Sequence, residues 1–186
     1  MAGVQIRDAL REEFDELGDV RLAAYRADGF LSPQSTYAPT LRTLGADGLG
    51  HVLVAVDAGP SGSSGPTNST APQDVGTRIL GTVMLQGWAG AGEILAGPEE
   101  AEIRALAVLP EARGIGLGQT LLAAVIGRAA AIGVRRLVLL TQPEMRAAHR
   151  LYEKAGFTRL PERDWSPEPG VTLLAYSRVL DGDGLG

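Results

Sequence analysis

The chain has 186 residues, of which 45% are hydrophobic and 21% charged, a composition typical of one globular domain with a sizeable core. Its formal net charge of -5 argues against a nucleic-acid partner and is compatible with a cationic substrate such as an amine. The lack of cysteine excludes disulfides and thiol nucleophiles, and two histidines, His51 and His149, are too few for a metal site of several imidazoles.

The chain shows no targeting or membrane segment. Residues 1–10 lack the apolar run of a signal peptide, and no other apolar run is long enough to span a bilayer. We therefore expect a cytoplasmic protein with no membrane partner, no nucleic-acid partner and no metal.

The first half of the chain alternates between strand-like and helical patterns. Apolar residues from Leu10 to Tyr25 are spaced for one face of a helix, which could break at Gly18. The predicted elements, in chain order, are a strand at residues 4–7, a helix at 9–27, a short helix at 40–44 and strands at 51–56 and 78–86.

A change of composition at residues 58–75 interrupts this pattern. The segment is almost wholly Gly, Ser, Pro, Thr and Asn, which bury too little apolar surface to offset the entropy of ordering. The strand after it needs the strand before it as a partner, so we interpret residues 58–75 as a flexible, exposed loop within a hairpin. Residues 1–186 then form a single domain.

The second half of the chain is more regular. Its predicted elements are a strand at residues 103–109, a helix at 116–132, a strand at 136–141, a helix at 144–155 and strands at 157–160 and 171–179. The strand–helix–strand unit over residues 103–141 predicts a right-handed parallel crossover. The whole order predicts an α/β or α+β fold with a mixed sheet.

Three glycines, Gly114, Gly116 and Gly118, lie where the chain leaves a strand and enters a helix. Glycine adopts positive φ and has no Cβ, so backbone N–H groups can converge on an anion there. The helix N-terminus adds free donors and a partial positive charge, and Arg113 adds a charged contact to phosphate. The pattern predicts a phosphate-binding loop, although a tight turn alone would use the same residues.

Two common nucleotide-binding motifs do not fit this loop. A P-loop ends in Gly-Lys-Ser/Thr, whereas Gly118 is followed by Gln119. A dinucleotide fingerprint needs a further glycine that is missing here, and an acidic residue at the end of the next strand, where Leu140 and Thr141 stand. The pattern that remains is Arg/Gln-x-x-Gly-x-Gly/Ala.

Residues Arg113-Gly114-Ile115-Gly116-Leu117-Gly118 carry that pattern. Together with Ala105–Glu111 before them and Ala148–Phe157 after them, they resemble the GNAT superfamily of CoA-dependent N-acetyltransferases over residues 102–160. The resemblance implies one domain with a mixed central sheet, splayed parallel strands and flanking helices. It implies acetyl-CoA as acyl donor and a primary amine of a small molecule or peptide as acceptor. Similar proteins commonly dimerise, and the sequence leaves a homodimer open.

The resemblance also implies which residues bind the acyl donor. In the family, the main chain of the strand before the loop pairs with the pantetheine arm, which corresponds to Leu106, Ala107 and Val108. A backbone N–H of this stretch would polarise the thioester carbonyl. The pyrophosphate would lie beside Arg113 on a run of backbone N–H groups, those of Gly114, Ile115, Gly116, Leu117, Gly118 and Gln119.

Two side chains are candidates for proton transfer in such an enzyme. Tyr152 occupies the family's usual position for protonating the leaving sulfur, and the alternative is a core aromatic on an apolar helix face. Glu102 begins the strand toward the thioester, where family members often carry a general base. The alternative for Glu102 is a solvated carboxylate in an acidic cluster. Some relatives place a glutamate on the next strand, where Leu140 stands here.

One position departs from the family pattern. Many relatives have an Asn that contacts pantetheine where this chain has Met145, which favours, as an alternative, a non-catalytic acyl-CoA-binding or regulatory module. The acceptor itself is not named by the sequence, although Asp28 is suited to meet an amine, and both histidines are interpreted as structural. The candidates to line an acceptor pocket are Tyr25, Asp28, Phe30, Trp88 and Trp165.

Overall fold

A computed structural model describes the chain over residues 3–32, 34–57, 78–90, 94–167 and 170–180. Its strands are β1 (Val4–Asp8), β2 (Gly50–Asp57), β3 (Ile79–Gly87), β4 (Glu100–Val108), β5 (Arg136–Thr141), β6 (Thr158–Arg159) and β7 (Leu174–Val179). Its helices are α1 (Phe14–Ala27), α2 (Ala38–Thr43), α3 (Leu117–Ala131) and α4 (Arg146–Lys154).

All seven strands form one sheet in the order β1-β2-β3-β4-β5-β7-β6. Every neighbouring pair is antiparallel except β4 and β5, which are parallel and are joined through α3. The predicted single domain with a mixed sheet and flanking helices is confirmed. Among the described residues, no helix has the length and apolar character needed to cross a membrane.

One face of the sheet is covered by α3 and α4. Leu121, Leu122 and Val125 of α3 are fully buried against strand residues such as Val83 and Leu139. These apolar side chains recur every three or four residues along α3, so one stripe of the helix lies on the sheet. Burying each such side chain stabilises the fold by about 2 kcal/mol, which fixes the position of the N-terminus of α3.

The other face of the sheet is covered by α1 and α2. Leu17 of α1 and Leu41 of α2 are completely buried against Val54 and Met84. The residue that permits this packing is Gly18, where a Cβ would lie 2.7 Å from the carbonyl oxygen of Arg42. The possible break at Gly18 is absent: α1 continues through the glycine, which serves close helix packing.

The parallel pair of strands is short. The ladder between β4 and β5 runs only from Glu100↔Arg136 to Ile103↔Leu139, although both strands continue beyond it. Just after the last pair, Ala105 has φ 49, and the register of β4 against β3 shifts at the same place. A positive φ outside glycine is uncommon. Here it accompanies a bulge in β4, and the two strands splay as predicted.

Most predicted elements differ from the observed ones by one to five residues at an end, and two of these differences have an identifiable cause. Residues 11–13 form a 3-10 turn before α1, since the Glu13 carboxylate pairs with Arg7 and accepts the Leu10 N–H at 2.7 Å. Strand β4 begins at Glu100 because that carboxylate is held by Arg163 at 2.6 Å and by the Ala96 N–H. The loop predicted at residues 58–75 lies outside the described residues and stays a prediction.

Candidate active site

The splay between β4 and β5 opens into a cavity of about 700 Å³. Its walls come from the C-terminal part of α1, from β4, from the end of β5 and from α4. From β4 the lining residues are Ile103 and Ala105 to Val108, whereas Leu140 and Thr141 line it from the end of β5. A cleft outside the carboxyl end of a parallel pair is a common place for a ligand.

One end of this cavity meets the N-terminus of α3. The first hydrogen bond donated within the helix is from the Thr120 N–H to the Gly116 carbonyl oxygen, at 3.0 Å. The N–H groups of the first three helical residues therefore have no acceptor inside the helix. Gly114 has φ +81 and Gly116 φ +84, with open space where a Cβ would stand. This end is suited to receive an anion.

Gly118 has a different part in the loop. A Cβ there would meet Leu151 Cδ2 at 3.6 Å and Val108 Cγ2 at 3.9 Å, which is ordinary contact. Its φ is not positive. Within the predicted phosphate-binding run from Gly114 to Gln119, only Gly114 and Gly116 have the positive φ that favours glycine.

Arg113 lies at the cavity, and each of its three guanidinium nitrogens donates one hydrogen bond to the protein. It donates to the Asp28 carboxylate at 2.7 Å, to the Ala24 carbonyl oxygen at 3.2 Å and to the Val108 carbonyl oxygen at 3.1 Å. The last two contacts tie the loop to the end of α1 and to β4. Asp28 is accordingly occupied by Arg113, and a contact of Arg113 with phosphate stays a prediction.

The edge of β4 facing β5 supplies backbone groups along the cavity. Leu106, Ala107 and Val108 line it beyond the last ladder pair with β5. On their other side Ala107 still pairs with Thr82 of β3, so the strand is held in place. A strand edge without a partner is a template for another extended chain, which fits the predicted pairing with pantetheine.

Tyr152 places a phenol in the cavity from α4. The residue is 7% exposed, and its ring contacts Phe157 at 6.0 Å and Tyr176 at 6.4 Å between centroids. Burial raises the pKa of Tyr152 to about 12, because the phenolate loses its hydration. The hydroxyl therefore stays protonated at neutral pH, as a proton donor must.

Glu102 is buried rather than solvated. It is 6% exposed on β4, its directly opposite partner on β3 is Gln86, and Arg104 Nε lies 3.7 Å from its carboxylate. Burial raises the pKa of Glu102, and Arg104 offsets this only in part. Its neighbour Ile103 lines the cavity but Glu102 does not, so a role as base needs a bridging water.

Tyr152 and Glu102 stand on opposite faces of the sheet. Tyr152 packs in the core under α3 and α4. Glu102 shares its face with Arg104, which is opposite Met84 in the core under α1 and α2. The gap between β4 and β5 connects the two faces of the sheet.

The sequence-predicted acceptor residues separate into two groups. Tyr25, Asp28 and Phe30 line the cavity. Trp165 lines a separate cavity of about 250 Å³, and Trp88 is 45% exposed in the turn after β3. The cavity thus gathers the candidates from the end of α1 and the loop after it.

The two histidines make local contacts. His149 Nε2 lies 3.0 Å from the Gln142 carbonyl oxygen, and its ring is 5.5 Å from that of Tyr176. His51 lies 3.3 Å from Arg128 on the surface. Both contacts suit the structural interpretation of these residues.

Two cavity residues were not singled out by the sequence for what they do here. Thr141 is buried at the end of β5 and its hydroxyl donates to Met145 Sδ at 3.5 Å. Glu144 places an exposed carboxylate at the cavity three residues after β5 ends. The signal available was position, since residues just past the carboxyl ends of parallel strands commonly contact ligands.

A known protein family matches the part of the chain that builds this site. The profile of the acetyltransferase (GNAT) family covers residues 64–157, just over half of the 186-residue chain. The chain belongs to the GNAT acetyltransferase family. The predicted resemblance is thereby confirmed.

A curated relative is similar over a shorter region. The mycothiol acetyltransferase of Geodermatophilus obscurus is 38% identical over 64 residues, which are 34% of this chain. The same match is 21% of the relative, so the chain spans only that fraction of its length. Its substrate is therefore not carried over to this protein.

Solved structures of GNAT acetyltransferases share the fold over nearly the whole chain. An acetyltransferase of the family from Staphylococcus aureus Mu50 matches with a TM-score of 0.68 and 18% identity, over 96% of this chain and 100% of that one. The phosphinothricin acetyltransferase of Sinorhizobium meliloti, in complex with AcCoA, matches with a TM-score of 0.65 and 18% identity, over 97% and 89%. At this identity the likeness concerns the fold.

Proposed function

We propose that this GNAT protein is an N-acetyltransferase that moves the acetyl group of acetyl-CoA onto a primary amine of a small molecule or peptide by direct attack. One observation carries the proposal. The cavity between β4 and β5 joins an anion-binding helix terminus, an unpaired strand edge and the buried phenol of Tyr152. A diphosphate, an amide-containing arm and a thioester need these three features in that order.

Acetyl-CoA supplies the acetyl group as an activated thioester. The N–H groups of the first turn of α3 and of the loop at Gly114–Gly116 hold the negative charge of the diphosphate. The free edge of β4 over Leu106–Val108 orients the arm by backbone hydrogen bonds. A backbone N–H on that edge stabilises the charge that develops on the carbonyl oxygen.

Proton movement is divided between the faces of the sheet. An amine must lose a proton to become nucleophilic, and Glu102 accepts it through water on the α1 face. Tyr152 gives a proton to the departing sulfur on the α4 face. Donor and acceptor therefore do not neutralise one another before the reaction.

The direct test is free-thiol release from acetyl-CoA, measured with polyamines, aminoglycosides, amino acids and peptides as acceptors. The proposal predicts release that depends on an amine and yields an N-acetylated product by mass spectrometry. If acetyl-CoA fails to bind in calorimetry at high micromolar concentration, the proposal is wrong.

A second candidate function is favoured by Met145. Its sulfur accepts the Thr141 hydroxyl at 3.5 Å, which closes the end of β5 with an apolar side chain instead of an amide. A non-catalytic acyl-CoA-binding module of the same fold is compatible with that change. It predicts acetyl-CoA binding with no thiol release across the whole amine panel, and substitution Met145→Asn separates the two functions if it creates activity.

A further inference from the structure

Arg21 of α1 is the largest fully buried side chain among the described residues. Only one of its three guanidinium nitrogens has a hydrogen-bond partner there. Nη1 donates to the Leu44 carbonyl oxygen at 2.7 Å and to that of Leu41 at 3.4 Å, which braces the end of α2. Within the described part of the chain, Nε and Nη2 are buried and have no hydrogen-bond partner. Unpaired donors of a buried cation are costly, so this edge requires an acceptor.

The charged groups around Arg21 add positive charge. The titratable neighbours that shift its pKa are Tyr25, Tyr37 and Arg104, while burial is the largest cause and lowers the pKa to about 10. Arg21 is therefore a cation at neutral pH. Arg104 in turn lies 3.7 Å from Glu102. Two guanidinium groups and one carboxylate leave one positive charge in excess, which is unfavourable in a core without an anion.

Arg21 and Arg104, the arginine pair, lie next to residues that line the cavity, although neither arginine lines it in the free protein. Ala24 and Tyr25 line the cavity and stand three and four positions after Arg21, on the same face of α1. Ile103 and Ala105, on either side of Arg104, also line it. Arg104 is the accessible member, since 23% of its side chain is exposed.

The geometry points to the arginine pair as the subsite for a carboxylate of the acceptor, which makes the acceptor a free α-amino acid. The inference rests on the proposed acetyl transfer. Arg104, whose side chain is partly exposed, contacts the carboxylate from β4, and the fully buried Arg21 adds its positive charge from α1. A guanidinium presents a fork of N–H donors that matches the two oxygens of a carboxylate.

The position of Glu102 supports an amine next to that carboxylate. Glu102 and Arg104 share one face of β4 and are separated by about 7 Å along the strand. A base for the amine and a partner for the carboxylate therefore stand side by side. An α-amino acid carries its two groups on the same carbon, which matches this arrangement better than a polyamine does.

The test compares each of the common L-amino acids with its own carboxamide as acceptor, by kcat/KM for thiol release. We expect the preferred amino acid to exceed its carboxamide by about tenfold or more, since a charge-assisted pair is lost. The amine of a carboxamide is the less basic one, so amine ionisation favours the carboxamide and cannot create this preference. Equal rates, or faster acetylation of carboxamides and peptide N-termini, would overturn the inference.

Substitution Arg104→Gln locates the effect. It should reduce the ratio between amino acid and carboxamide about tenfold, and any effect on the neighbouring Glu102 cancels in this ratio because it acts on both acceptors. The matched control is Arg135→Gln, an exposed arginine at 3.8 Å from Glu99, which should keep the wild-type ratio. If Arg104→Gln lowers both acceptors equally, Arg104 is structural and the inference fails.

Arg21 needs a variant that separates charge from packing. Arg21→Lys keeps the cation and Arg21→Met removes it, so we expect a smaller ratio in Arg21→Met than in Arg21→Lys, with the wild-type KM for acetyl-CoA in both. Equal ratios in the two variants contradict the role of Arg21. If no amine at all is acetylated, the proposed function fails on its own, and calorimetry of amino acid and carboxamide with the CoA-bound protein still decides the subsite: equal or absent binding of the amino acid overturns it.

Discussion

Tyr152 combines a buried hydroxyl with a position in the wall of the cavity. Replacement Tyr152→Phe removes only the hydroxyl and keeps the ring contacts with Phe157 and Tyr176. We expect kcat to fall about 100-fold, the usual contribution of a general acid, while the affinity for CoA is retained. Steady-state kinetics and calorimetry measure the two quantities, and equal losses in both would argue that Tyr152 is a core aromatic.

The buried carboxyl of Glu102 should make kcat/KM for the acceptor depend on pH. Burial raises the pKa of this carboxyl above its ordinary value of 4.5, so the basic form is gained only as pH rises through the raised pKa. The kcat/KM for the acceptor should therefore fall on acidification below that pKa. Tyr152 adds no loss on the alkaline side until pH approaches about 12.

The variant Glu102→Gln removes the titrating group. We expect it to lower kcat/KM about 100-fold or more and to remove from the profile the step that belongs to Glu102, so that only the ionisation of the amine acceptor remains. A profile with the same steps as that of the wild type would assign the base to another group, and the exposed Glu144 at the cavity would be the next residue to substitute.

At the scale of elements, adding a methyl group at either end of α3 should separate an effect on stability from an effect on acetyl-CoA binding. Gly116 and Gly133 have φ +84 and +81, both with open space at the Cβ position, at opposite ends of the helix. Alanine at either position should cost about 1 to 2 kcal/mol of stability because of its positive φ. Only Gly116→Ala stands where the anion is expected, so only it should raise the KM for acetyl-CoA, by about tenfold. Equal KM values in both variants would remove the anion from this loop.

The contact between α1 and α2 gives a second matched pair. Gly18→Ala would place a Cβ 2.7 Å from the Arg42 carbonyl oxygen, whereas Gly127→Ala in α3 meets nothing within 4 Å. We expect Gly18→Ala to destabilise the fold by about 1 to 3 kcal/mol and Gly127→Ala to stabilise it by up to about 1 kcal/mol. Urea denaturation measures both, and a neutral Gly18→Ala would mean that α2 can move away at no cost.

At the scale of the molecule, much of the site could be predicted because local chemistry determined it. The glycine loop is readable since positive φ and open space at Gly114 and Gly116 permit few other residues. The crossover through α3 is readable from its apolar spacing. Tyr152, by contrast, was placed by resemblance to the family, and its protonated state became evident only from its burial.

What could not be predicted depends on contacts distant in sequence. The bulge at Ala105 has φ 49 at a residue that gives no sign of it. Arg21 and Leu44 meet through the packing of two helices, 23 positions apart. The sequence of β4 was as compatible with an exposed Glu102 as with a buried one. The exposure of this side chain depends on how β4 packs with β3 and β5, and long connections separate these strands in the chain.

The short β4–β5 ladder has a consequence for how the sheet exchanges its hydrogens. Four residue pairs are the hydrogen-bonded connection between a four-stranded and a three-stranded antiparallel unit. Those amides of residues 104–108 that point toward β5 should therefore exchange with deuterium rapidly in the free protein. Acetyl-CoA should protect them as an added strand would, while amides on the β3 side stay protected throughout. If these amides exchange equally slowly without CoA, contacts between the two units other than the β4–β5 ladder must protect them.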